Sequence, residues 1–403
     1  MSYEQPGNRQ PHAVTRTSDG WQLQYDANGN LLAKLADAQS PAAQTLAATR
    51  FQFDAENRLV QVDVPTTETV SVTLAPGWNF FSLPVIPNDL SIAAVFPSFG
   101  TDFDQISRYN PAADRFEHYV GAARFDDFTT LEYGRGYEVY CANPAGVTLT
   151  LTGAVPTAAP AYALSASFHL IGSSALESQT PGWLLLGVDY DSLHRYDTQS
   201  RSLTTASQIQ PAQGYFVHVA SPGSWRPPLP RDVATRMTYD ATGARLKRST
   251  ASESVTIVNE AYEVGPGGVT KQLFAGGLRI GSKGPAGLEF VHGDHLGSTN
   301  VLTDATGTQQ ARLTYSPFGE LASATGADGV VHRFTGQRFD QSTGLYFYQA
   351  RYYDPSIGRF LSADPIVQDP ADPQFLNRFA YVRNNPLRFV DPSGLSSEDP
   401  GCD

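Results

Sequence analysis

The chain has 403 residues, 41% of them apolar, which is enough for two or three domains with cores of their own. Thirty-five glycines, 28 prolines and 19 tyrosines against two methionines favour turns and aromatic-rich strands over long helices, so the expected class is all-β. A formal charge of −12 with scarce lysine excludes the basic patch that nucleic acid requires, and no apolar run reaches the roughly 18 residues of a transmembrane helix. Cys141 and Cys402 read as two independent thiols rather than a disulfide framework. MSYEQPGNRQ at the start has neither the basic nor the apolar region of a signal peptide, so export is expected either as part of a larger polypeptide or by another route.

In the first 65 residues, Trp21 to Leu35 form two alternating runs joined at Asn28-Gly29, a hairpin signal because both turn residues tolerate positive φ. The Tyr25-Asp26-Ala27-Asn28-Gly29-Asn30 turn has a second copy at Phe53-Asp54-Ala55-Glu56-Asn57-Arg58. A third follows much later, at Tyr239-Asp240-Ala241-Thr242-Gly243-Ala244. One hairpin repeated in this way implies stacking.

Residues 66–230 have another texture and another repeat. Gly77-Trp78-Asn79-Phe80-Phe81, Ile106-Ser107-Arg108-Tyr109 and Gly136-Tyr137-Glu138-Val139 are echoed by Ser167-Phe168-His169-Leu170-Ile171, Leu193-His194-Arg195-Tyr196 and Gly214-Tyr215-Phe216-Val217. The segment is expected to be a duplicated β module inserted into a loop. Alternating strands are predicted at Val70–Leu74 and Val147–Gly153, and a short helix near Leu90–Phe96. Pro-rich stretches at Val155–Ala161 and Pro222–Pro230 read as internal linker and exit. More hairpin repeats are expected over 231–289, then a turn-rich segment over 290–395 and a short tail, 396–403.

That last segment carries the densest pattern. His292, Asp294 and His295 have donor chemistry for a metal, but a bonded turn accounts for them more simply, and no further Cys or His supports a ligand set. Tyr346, Tyr348, Tyr352 and Tyr353 suit either a sugar-stacking face or cross-strand packing. Asp-Pro steps at Asp354, Asp364 and Asp391 are good turns, with Pro fixing φ. They are also carboxylates, and two carboxylates brought together divide the roles of general base and general acid. The residues alone leave both readings open. No phosphate loop, serine-elbow, zinc-helix or dinucleotide motif is present, and no cofactor is expected.

HGDHLGSTNVLTDATG (292–307), YSPFGE (315–320), FTGQRFDQSTGLYFYQARYYDPSIGRFLSADP (334–365) and NRFAYVRNNPLRFVDPSGL (377–395) together resemble the Rhs repeat-associated core domain, and the YDANGN-type turns resemble the YD repeats that precede it. The resemblance implies a β-hairpin strip curling into a shell, plugged by the core. In the toxin members of the family it also implies self-cleavage after DPxGL. Transferred to matching positions, the aspartyl pair is Asp364 and Asp391, with Arg351 and Arg359 around it, and the scissile bond joins Leu395 to Ser396. The expected protein is exported to the cell exterior or surface and partnered by toxin-secretion or toxin-complex components. The shell part is short for that family, and eight residues after Leu395 are too few for an effector. A reading of another class treats the core as a purely structural plug and the inserted module as a binder of cell-surface glycans, with Trp78 and Trp183 as its aromatic contacts.

Overall fold

A computed structural model describes residues 12–36, 45–230, 232–276 and 278–400; Cys402 and the opening MSYEQPGNRQ lie outside them. Cys141 is a buried free thiol. The chain divides into two compact units, one made of Met1–Lys34, Thr49–Val64 and Val233–Asp403, the other of Leu35–Ala48 and Pro65–Asp232. The second unit takes in 35–48 as well as the inserted segment.

The first unit is built from one hairpin used repeatedly. At Asp26 the backbone N–H bonds Asn30 O at 3.0 Å and Gly29 N–H returns to Asp26 O. The Asp26 carboxylate meanwhile accepts the N–H groups of Asn28 and Asn30. Asp54, Asp240, Asp294 and Asp304 accept the amides two and four positions on in the same way. The fourth position of the turn carries positive φ, at Gly29, Asn57, Gly243, Gly297 and Gly307, the left-handed region that glycine enters without steric cost. The aspartate is thus the local acceptor that frees the turn from solvent. Asp294 therefore belongs to a turn, while His292 pairs with Thr303 Oγ1 and His295 Nε2 donates to Leu387 O. Among the described residues no group of three or more metal-type side chains converges.

These hairpins join into a 14-stranded antiparallel strip that follows chain order with one jump, from Leu59–Asp63 to Ala234–Tyr239. Ala234 stands opposite Asp63 in register. The whole inserted segment thus leaves and re-enters between adjacent strands, interrupting the sequence and not the sheet. The strip runs on to Leu321–Thr325 and is followed by a separate four-stranded meander, Arg338–Asp340, Leu345–Tyr348, Arg351–Asp354 and Arg359–Phe360.

Leu23, Leu31, Phe51, Leu59 and Met237 of the strip share a core with Leu345, Tyr352, Ile357 and Leu361 of the meander. A buried ion pair joins the same two parts: Arg245 donates to Asp340 and to the Tyr352 hydroxyl. Removing one partner of such a pair costs about 3–5 kcal/mol, because the other charge is left buried alone. Tyr346, Tyr348, Tyr352 and Tyr353 are all buried, and Tyr346 faces Tyr353 across the strands. They are core residues and present no stacking face.

Farther along, strip and meander part around a hollow of about 850 Å³, its wall including Leu246, Val258 and Phe274. These apolar side chains are exposed.

In the second unit the same topology occurs twice. The first sheet orders its strands Gly77–Phe81, Tyr137–Cys141, Phe103–Asn110, Arg115–Tyr119; the second orders Phe168–Gly172, Gly214–Val219, Tyr190–Asp197, Ser202–Thr205. Each is accompanied by a two-stranded ribbon, Thr67–Leu74 with Val147–Ala154 and Tyr162–Leu164 with Gly223–Trp225. Each also has one short helix at the same place in the order, Ile92–Val95 and Pro181–Leu184. Each module has its own apolar cluster, and Trp183 packs against the second. Phe216 lies between the modules, 5.8 Å from Phe80 and 6.0 Å from Tyr109.

Glu138 occupies the position in the first module that Phe216 holds in the second, and burial pushes its carboxyl up to about 7. A carboxyl whose folded pKa lies above its unfolded value of 4.5 contributes stability below that value and loses the contribution as pH rises through 7. The Glu138→Gln variant is therefore expected to unfold at a higher temperature than the parent at pH 8 and at nearly the same temperature at pH 4. Calorimetry at the two pH values measures the difference.

Candidate functional site

The C-terminal core is an aromatic cluster of Phe334, Tyr346, Tyr348, Tyr353, Phe360 and Tyr381. Strands Leu345–Tyr348 and Arg351–Asp354 are joined by a tight turn in which Gln349 takes positive φ, and Tyr348 stands opposite Arg351. The DPSG segment is fastened to that turn. Ala350 N–H donates to Ser393 O, Gln337 Nε2 donates to Pro392 O, and Gly394 lies so near Tyr348 O that an added Cβ would meet it at 2.3 Å. With φ of +78° as well, the position excludes other residues on two grounds.

Asp391 is placed by this turn. Its Oδ1 accepts the backbone N–H groups of Gly394 at 2.7 Å, Leu395 at 3.1 Å and Ser396 at 3.2 Å. Beyond Ser396 the chain folds back, and Val390 and Glu398 exchange backbone hydrogen bonds at 2.8 and 2.7 Å. The bond from Leu395 to Ser396 therefore lies in a short closed loop with its amide hydrogen on Asp391.

Asp364 arrives from another direction. Its backbone N–H bonds Arg378 O at 2.9 Å, Arg378 Nε donates to Asp364 O, and Asp364 Oδ1 accepts the N–H of Ile366. Its other oxygen, Oδ2, lies 2.8 Å from Arg351 Nη2, and Asp391 Oδ2 lies 3.6 Å from the same nitrogen. The fold thus brings Asp364, Asp391 and Arg351 together around one guanidinium. They line a small cleft of about 40 Å³ with Arg378, Ser396 and Gln368. Arg359 does not line this cleft; it is buried in the strand Arg359–Phe360, across from Asp354. Asp354 pairs with Lys34, and Asp340 with Arg245.

One guanidinium faces two carboxylates, and burial outweighs their mutual attraction at all three. It pushes Asp364 and Asp391 up and Arg351 down, against the opposing pull of their charges. Arg351 lies between the two carboxylates and the Arg378 guanidinium adds a second pull toward the charged form at Asp364, so a proton held by the pair is there because burial outweighs both cations. Asp391 has the less exposed side chain, 5% against 13%, and the longer contact to Arg351, which favour the proton on its Oδ2, while the three backbone N–H groups on its Oδ1 pull toward the ionised form. Asp364, at 2.8 Å from Arg351, is the better carboxylate.

Gln368 carries no motif in sequence, yet its Nε2 donates to Leu395 O at 2.7 Å. Only its place four residues beyond Asp364 hints at proximity, and that is too weak a signal to single it out. Arg378 is likewise invisible as a site residue, because what it contributes is a backbone carbonyl and a bond to a backbone oxygen.

The family model described as the teneurin YD-shell matches residues 289–387, and over that stretch the chain is similar to YD-repeat proteins. It is 39% identical over 104 residues to salivary gland surface protein 1 of Aedes aegypti and 37% identical over 114 residues to toxin subunit YenC1 of Yersinia entomophaga. Those matches cover 25% and 27% of this chain, and the chain spans 3% and 11% of the relatives' own lengths. A crystal structure of TcdB2-TccC3-TEV aligns over 93% of this chain and 17% of that one, at 18% identity and a TM-score of 0.35.

Replacing Gly394 by Ala adds a clash to conformational strain. Gly243, with φ of +89° and nothing within 4 Å of an added Cβ, provides a control in which strain acts alone. Gly394→Ala is expected to destabilise by more than the roughly 1–3 kcal/mol of strain and to remove hydrogen-exchange protection at the Leu395 and Ser396 amides. Gly243→Ala should leave those amides protected.

Proposed function

We propose that this chain is the shell and core portion of an exported toxin-type protein and that its core hydrolyses the Leu395–Ser396 bond once, in its own chain. The observation that supports this most directly is that Asp391 Oδ1 bonds the Ser396 nitrogen while Asp364 shares Arg351 with Asp391. Water attacks the Leu395 carbonyl carbon and gives a proton to Asp364. The carbonyl π pair moves to oxygen and then returns, breaking the C–N bond. The Ser396 nitrogen takes the departing pair and the proton held by Asp391. The products are a Leu395 carboxyl group and a Ser396 amine, with one water consumed. A tethered substrate involves no association entropy, which lowers the demand on the site.

The hollow beside the cleft supports the shell reading, since Pro392, Ser393 and Leu395 form part of its wall and exposed apolar side chains line it. An unfolded, partly apolar polypeptide matches that lining, and the proposed partners are other components of a toxin assembly, as the likeness to a toxin subunit suggests.

The Val390–Glu398 pairing does not pass through the scissile bond, so a cut tail stays seated and the cleavage must be measured by intact mass under denaturing conditions. The parent should lose 396–403, and Asp364→Asn or Asp391→Asn should slow the loss at least about 100-fold. Because burial raises both carboxyls, the shared proton persists above the usual carboxylate range near 4. The rate should hold into weakly acidic pH, fall on the alkaline side as Asp391 loses its proton, and fall on the acidic side as Asp364 gains one. An uncut parent, or cleavage unchanged in both variants, overturns the proposal.

A second reading, glycan binding by the inserted modules, has one specific observation behind it. Trp78 with Tyr140 and Phe168 with His218 are cross-strand ring pairs at equivalent positions of the two modules, and Trp78 and Phe168 are 36% and 47% exposed. If this reading holds, the full chain binds members of a glycan array and the Trp78→Ala, Phe168→Ala double variant loses that binding. Absence of binding by the parent removes it.

A further inference from the structure

Arg351 is the obvious candidate to stabilise an oxyanion at the scissile carbonyl, but its nitrogens are directed elsewhere. Nε donates to Gly394 O, one residue before the carbonyl concerned. Nη1 donates to Arg378 O at 3.1 Å, and Nη2 faces the two carboxylates. The guanidinium plane stacks on Phe360 at 3.7 Å, which fixes its orientation. Asp391 approaches the scissile peptide only from its nitrogen side. The oxygen of Leu395 is left to Gln368 Nε2, at 2.7 Å.

We propose that Gln368 is a catalytic residue, the donor that stabilises negative charge on the Leu395 oxygen during self-cleavage; this rests on the hydrolytic reading above. The charge that forms on that oxygen when the π pair moves onto it strengthens the bond from Gln368 in the transition state relative to the ground state, and only such a differential gain accelerates the step. At 2.7 Å from the ground-state oxygen, Nε2 stays within hydrogen-bonding reach of the neighbouring position that the oxyanion takes up.

An amide also fits where a cation would not. It adds no charge to a cluster in which the Arg351 and Arg378 guanidiniums already act on the carboxylates, and it does not titrate, so the pH dependence stays with the aspartates. The loop that carries Gln368 also carries Asp364. The loop is fixed at Arg378 by the paired bonds between Asp364 and Arg378, and Arg378 O in turn accepts from Arg351 Nη1. Base, cation and oxyanion donor therefore share one frame. Asp369 and Asp372 each turn the following chain by accepting the amide two residues on, which leads the loop into the short helix Pro373–Leu376.

The competing role for Gln368 is that of a tether that merely seats the tail, and one pair of measurements separates the two. The full chain made by cell-free translation is followed by intact mass to give the cleavage rate of the parent, of Gln368→Ala and of Gln368→Glu. In an uncleaved Asp364→Asn background, hydrogen exchange at the Glu398 amide, which donates to Val390 O, reports whether the tail remains seated when Gln368 is also replaced. Loss of one such donor slows comparable reactions about 100- to 1,000-fold. The expected result is a slowing of that size in both Gln368 variants with Glu398 protection unchanged. Cleavage at the parental rate in Gln368→Ala overturns the proposal, and so does slowing accompanied by loss of Glu398 protection, which assigns Gln368 to seating. A parent that never cuts overturns the hydrolytic reading itself and this role with it, and is recognised by failure before any Gln368 variant is compared.

Discussion

Arg351 stands at the start of a core strand, stacked on Phe360, and its guanidinium reaches Gly394 O, Arg378 O, Asp364 and Asp391. Those groups lie on three stretches of backbone: the DPSG turn, which carries both Asp391 and Gly394, the Asp364 loop, and its return at Arg378. Withdrawing the guanidinium would leave two carboxylates facing each other and the Gly394 carbonyl without its donor. Because a buried ionic cluster is repaid for desolvation only when nearly every donor and acceptor is used, the arrangement tolerates little variation. The geometry of the chain end follows from it.

The rest of the first unit supplies the frame on which these stretches are held. The strip closes on the meander through Leu23, Leu31, Phe51 and Met237 on one side and Tyr352 and Leu361 on the other, with Arg245 and Asp340 fixing their register. Apolar burial provides the energy and the buried ion pair provides specificity of placement. The aromatic core beneath Arg351 is nearly continuous: Tyr348, Tyr353, Phe360 and Tyr381 lie within 4.9 to 6.0 Å of one another in edge-on and tilted pairs. Such packing holds strands rigid at low entropic cost, which a site that must hold a peptide bond at hydrogen-bonding distance requires.

The second unit follows a different logic. Its two sheets repeat one topology, and a position that carries a carboxylate in the first module, Glu138, carries the interface ring Phe216 in the second. The two modules share a backbone plan and differ in these facing residues. Because the flanking strands pair directly, the strip's hydrogen bonding continues across the point of insertion.

The hairpins, their aspartate turns and the first of the two short helices were legible in the residues, while the second, Pro181–Leu184, was not expected; what was legible depends on interactions within a few positions: an Asp carboxylate with the amides two and four residues on, a glycine at positive φ, an alternating pattern on one face. The candidate carboxylates and Arg351 were reached through motif resemblance, and the residues themselves favoured a turn over a catalytic role at Asp364 and Asp391 without excluding the latter. Sequence could not determine which groups converge. Asp364 and Asp391 meet only because the core folds the chain back through Arg351, whereas Arg359, eight residues from Arg351 and similar to it in character, is carried to Asp354 instead. Gln368 had no signal strong enough to single it out, since its bond to Leu395 O is a long-range contact of an ordinary amide. Local hydrogen bonding is written in adjacent residues; the partners of a buried charge are set by which strands the whole fold places side by side.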